Sequence, residues 1–164
     1  MNLPPISFIS GVHIPSLEGF HDHLLDIAAE VIATGEELPS PTIYVLSNAG
    51  ELAIIAPMGS KESSAGYQKA VVKVPIVRAC ALVFEAWIST HPGGVDKERV
   101  GLPSEDPNRT EAVGVSLMTA GRQAFTFSPI ERPANIVRKA PFKWLDESDG
   151  AYKGRFIRDK GASV

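Results

Sequence analysis

The stretch Val77-Arg78-Ala79-Cys80-Ala81-Leu82-Val83-Phe84-Glu85-Ala86-Trp87-Ile88-Ser89 decides the fold. Val83, Glu85 and Trp87 alternate with Leu82, Phe84, Ala86 and Ile88, the two-residue period of a β-strand whose successive side chains point to opposite faces. The side bearing Phe84 is the expected core face, which leaves Glu85 and Trp87 together on the other. A large aromatic is rarely left open to water without a partner, so that other face is expected to be covered by the C-terminal tail or by a second copy of the chain.

Moving upstream, Thr42-Ile43-Tyr44-Val45-Leu46, then Ser47-Asn48-Ala49-Gly50, then Glu51-Leu52-Ala53-Ile54-Ile55-Ala56 reads as a β-hairpin. Before it lies a helix. Ser16 is its N-cap, Gly35 its left-handed terminator, and Leu17, Phe20, Leu24, Ile27, Ala28 and Val31 recur at three- and four-residue steps opposite an acidic face. Lys61 to Val74 leans towards a second helix that must stop before Pro75, because the residue preceding a proline is pushed out of the α region. Downstream, strands near Glu111 to Met118 and Arg122 to Pro129 are joined by Thr119-Ala120-Gly121. The expected architecture is α+β, a mainly antiparallel five-stranded sheet in the order α-β-β-α-β-β-β plus a tail, with helices on one face.

At 164 residues the chain is one domain, 1–164, with an extended arm over 1–15 and a docked or exchanged C-terminal tail over 131–164. No apolar run is long enough to span a bilayer, and Met1-Asn2-Leu3-Pro4-Pro5 lacks a secretory pattern; a cytoplasmic address without membrane contact is expected. Cys80 is the sole cysteine and sits in an apolar run, which excludes an internal disulfide and reads as core. Residues 1–60 hold seven carboxylates and no Lys or Arg, whereas residues 131–164 hold eight Lys or Arg against five carboxylates. The basic residues are interleaved with acids, which argues for complementarity between the two ends of the chain and against nucleic-acid binding.

The most distinctive chemistry lies in Pro103-Ser104-Glu105-Asp106-Pro107-Asn108-Arg109-Thr110-Glu111, preceded by Glu85-Ala86-Trp87. Together with Trp144-Leu145-Asp146 and Gly154-Arg155-Phe156, this pattern resembles a family of small, uncharacterised bacterial and phage-associated proteins over roughly residues 80–160. The resemblance implies a shared architecture and no reaction. Read physically, Arg109 can pair with Glu85, Glu105 or Glu111 as a loop anchor. Alternatively Glu85 and Glu105 form a carboxylate pair, the candidate catalytic residues, with Arg109 gripping an anion.

His21-Asp22-His23 does not make a metal site, since helical residues two apart point in different directions. Phosphate-binding loops, dinucleotide fingerprints, nucleophile elbows and zinc-protease helices are missing from the sequence, and nothing in it names a cofactor. Two functions remain. The first is a non-enzymatic binding or assembly module, a homodimer or a scaffold for a protein partner, using Trp87, Ser104, Arg109 and Glu111 as its contact surface. The second is a small enzyme or ligand sensor whose Glu85, Glu105, Arg109 and Glu111 bind an anion or a divalent metal.

Overall fold

The computed structural model describes residues 3, 5–39, 41–55, 59–88 and 109–145. Strands β1 (Phe8–Ile9), β2 (Thr42–Ser47), β3 (Leu52–Ile55), β4 (Val77–Ile88), β5 (Thr110–Met118), β6 (Gln123–Glu131) and β7 (Ile136–Val137) join helices α1 (Leu17–Ala33) and α2 (Lys61–Val71). All seven strands pair antiparallel in one sheet of order β1-β3-β2-β4-β5-β6-β7, curled into a half-barrel.

Local chemistry sets the helix ends. The Ser16 hydroxyl accepts the Gly19 amide at 3.0 Å, Ser60 does the same for Ser63 at 3.0 Å, and Gly35 leaves α1 with φ of 85°. The second helix stops at Val71, three residues short of the expected end, and a turn carries the chain through Pro75.

The antiparallel pairing follows the sequence, but five strands with helices on one face do not. Two extra strands, β1 and β7, flank the sheet, and each is two residues long, too short to leave a periodic signal. The helices also lie on opposite faces. Phe20, Leu24, Leu25, Ala28 and Ile32 of α1 pack on Tyr44, Leu46, Ala81, Val83, Val113, Val115 and Leu117, while Ala65, Tyr67 and Val71 of α2 pack on Ile43, Val45, Cys80, Leu82 and Phe84. The side of Val83 is therefore as much core as the side of Phe84. Continuous burial from Ala79 to Phe84 is what an unbroken apolar run means when a strand is covered on both faces.

Two contacts lock the α2 side. Gln68, buried on α2, donates from Nε2 to the Cys80 carbonyl at 3.0 Å and the Ser116 carbonyl at 2.8 Å, tying the helix to β4 and β5. Gly114 faces the Phe84 ring so closely that a Cβ there would lie 2.5 Å from Cε2. Its missing side chain makes room for that ring, which is tilted 56° to Phe125 and stands edge-on, at 87°, to Phe127, at centroid distances of 6.1 and 6.5 Å.

The arm and tail also take defined places. Phe8 and Ile9 pair with Ala53 and Leu52, and residues 136–145 lie along β6, with Trp144 bridging Ala124. Lys139 of the tail reaches Asp26 of α1, so at least part of the charge asymmetry is satisfied within one chain.

Candidate functional site

Strand β2 ends at Thr42, opposite Val83, so the last residues of β4 run on with β5 alone on their flank. Strand β6 follows β5 only as far as the Ala112–Pro129 pair. Among the described residues, Trp87, Ile88, Thr110 and Glu111 thus form a two-stranded ribbon that projects beyond the helix-covered sheet. The projection comes from strand length: β4 has twelve residues and β2 only six.

Register fixes what the ribbon presents. Glu85 lies opposite Val113 and Trp87 opposite Glu111, so these side chains extend the α1 face. Trp87 is 41% exposed, and the guanidinium carbon of Arg109 sits 4.5 Å from its ring centroid, within cation–π range. The Glu85 carboxylate accepts the Leu38 amide at 3.0 Å, which pins the segment following α1 to the base of the ribbon.

Glu111 is held by Arg132, Nη2 to Oε2 at 3.0 Å, and Arg132 also donates to Asn135 at 2.7 Å. That hydrogen bond with Glu111, and then the nearby charges of Glu85 and Glu37, hold the Arg132 pKa above its ordinary value. The site is a small lattice of charge. It joins the segment after α1, the ribbon, and the turn Arg132–Asn135, where Asn135 takes a left-handed φ of 58°.

Of the residues singled out from sequence, Glu85, Trp87, Arg109 and Glu111 do converge, while Ser104 and Glu105 lie outside the described residues. The Arg109 guanidinium stacks on Trp87, and Arg132 takes the Glu111 carboxylate. Sequence reasoning missed Arg132 because a turn twenty-one residues away, following a strand, brings it back beside Glu111. Among the described residues no group of three or more His, Cys, Asp or Glu side chains is arranged to hold a metal. Among the described residues no helix is long and apolar enough to cross a membrane. Cys80 is fully buried and its thiol pKa is pushed up by that burial, the opposite of what a nucleophilic cysteine needs.

Comparison of the chain with protein-family models, with curated proteins and with solved structures found no match in any of the three.

Proposed function

We propose that the chain is a binding and assembly module that pairs with a second copy of itself through the end of the β4–β5 ribbon. One observation carries this reading: with α1 and α2 covering the two sheet faces, the ribbon presents an indole under a guanidinium at its projecting end. Tryptophan, tyrosine and arginine are the residue types enriched among the energetic anchors of protein interfaces. Glu85 and Glu111 are already engaged by Leu38 and Arg132, and this favours a preformed contact surface over a pair of carboxylates awaiting a substrate.

The test is sedimentation velocity over a wide concentration range on the wild type, Trp87→Ala and Arg109→Ala. Loss of an interface anchor costs about 2 kcal/mol or more, so the dimer dissociation constant should rise at least about tenfold in Trp87→Ala while circular dichroism stays unchanged. Equal self-association of a folded Trp87→Ala chain, or a wild type that stays monomeric throughout, refutes the reading.

A further inference from the structure

Strand register shows which way the backbone of the ribbon faces. The β5–β6 hairpin closes with the Thr119 amide donating to the Arg122 carbonyl at 2.9 Å, one step beyond the Met118–Gln123 pair. Antiparallel neighbours alternate between bonded and non-bonded pairs, so the odd-numbered residues of β5 turn their N–H and C=O groups to β6. The even-numbered ones, Thr110 and Ala112 among them, turn theirs to β4, where Ile88 and Ala86 lie opposite. Glu85 and Trp87 therefore direct their own N–H and C=O groups the other way, towards the flank where β2 has ended.

The approach to β2 does not fill that flank in the plane of the sheet. The last β2–β4 pair is Thr42–Val83, and continuing its register would set Pro41 and Pro39 opposite Phe84 and Ala86. The chain turns instead, with the Thr42 hydroxyl donating back to the Pro39 carbonyl at 2.8 Å. The Leu38 amide meets the Glu85 side chain, which points to the α1 face, so this segment passes over that face. Among the described residues, β4 thus ends in a short bare edge, the kind of surface that accepts another strand.

The edge is complementary to itself. Two copies related by a two-fold axis join the same patch twice, and the axis can fall at only a few places along β4. Placed at Glu85, it would set two carboxylates opposite each other and offer Trp87 only Val83, which is already paired with Thr42. Placed at Trp87, it would match Glu85 with position 89, past the end of β4. Placed at Ala86, it sets each Glu85 opposite the other copy's Trp87, where the two exchange both backbone hydrogen bonds. Each carboxylate then also comes beside the guanidinium that stacks on that indole, so opposite charges meet across the join. We propose that two copies join through β4, edge to edge and antiparallel about Ala86, so that their sheets run on as one. This rests on the self-association read above and gives it a backbone geometry. The pairing occupies both outward edges, so assembly closes at two chains.

The experiment places a cysteine at the axis. Residue 86 and its copy form a non-bonded pair with Cα atoms about 4.5 Å apart, within disulfide reach, whereas residue 88 and its copy lie about 14 Å apart along the strand. Cys80 is buried and gives no background. Mild oxidation of the full chain, read by non-reducing electrophoresis and peptide mapping, should link Ala86→Cys from 86 to 86, and link Ile88→Cys at least about tenfold less. In the wild type, hydrogen exchange at the Glu85 and Trp87 amides should slow as concentration rises through dimerisation, while the Ala86 amide, bonded to β5, does not change. Circular dichroism establishes that both cysteine variants are folded. A wild type that dimerises and loses the dimer in Trp87→Ala, yet whose Ala86→Cys form gives no 86–86 linkage, overturns the edge pairing and leaves the side-chain contact standing. A chain monomeric at every concentration removes both. Equal linkage at 86 and 88, or Glu85 and Trp87 amides that exchange slowly even in the monomer, also overturns the proposal.

Discussion

Replacing Gly114 by alanine tests how the sheet accommodates the ring of Phe84. The new Cβ would lie 2.5 and 2.6 Å from ring carbons Cε2 and Cζ, about 0.9 Å inside the 3.4 Å at which ordinary contact begins. The ring cannot swing aside freely, because Phe125 and Phe127 pack against it and all three lie under or beside α2. Overpacking of this kind costs about 1–3 kcal/mol, and the smaller entropy of an alanine chain in the unfolded state returns about 0.4–1 kcal/mol, so Gly114→Ala should lose about 1–2 kcal/mol. For a chain of this size that is a fall in Tm of about 2–8 °C. Phe84→Leu alone leaves a gap and should cost about 1–2 kcal/mol, a fraction of the loss for phenylalanine to alanine. The double variant removes the collision along with the ring, so it should be at least about 1 kcal/mol more stable than the sum of the single losses. Urea denaturation of the four proteins measures the cycle. Gly114→Ala as stable as the wild type, or losses that add within about 0.5 kcal/mol, would show that no steric coupling exists between these positions.

Two further outcomes follow from the α2 side of the sheet. Burial first, and the Cys80 charge second, push the Tyr67 hydroxyl from 10.0 up to about 12, and burial alone raises Cys80. Both groups are held neutral in the fold but ionise readily once unfolded, so their contribution is intact below their unfolded values and drains away as pH rises from about 9 to about 12. The Tyr67 part amounts to about 3 kcal/mol across that window, and Tyr67→Phe should flatten the alkaline decline; a wild-type urea midpoint constant from pH 8 to 11 contradicts this. Gln68→Leu keeps the volume but withdraws the donor shared by the carbonyls of Cys80 and Ser116. It should cost about 2–3 kcal/mol and speed amide exchange at the β4–β5 pairing beside α2, whereas a variant melting within about 1 °C of wild type would show that the link carries no stability.

Most of the local structure could be read from residues near one another. The Ser16 and Ser60 caps, Gly35, and the alternation through β4 each depend on a few consecutive positions. What escaped was everything that joins distant segments. The run Ala79–Phe84 is apolar at every position, so alternation could not show which side the helices would occupy, and the structure covers both. At the ribbon, alternation put Glu85 and Trp87 on one face, but it took the β4–β5 register to set Glu111 opposite Trp87, and the cation holding Glu111 came from Arg132 beyond β6. His21 could be dismissed as a chelator from helical geometry alone. Its contact with Thr126, 105 residues away, carries no local signature at all.

The shortness of the outermost strands has a consequence for how copies of this molecule can meet. A sheet that ends in a long bare strand invites backbone-to-backbone polymerisation, since its unpaired amides and carbonyls template another chain. Here β1 and β7 offer two residues each, and the segment from Arg138 to Leu145, with Pro141 in it, runs on beside β6 as far as the Ala124–Trp144 bridge. Among the described residues the sheet's ends therefore offer little backbone for edge-to-edge stacking into fibrils.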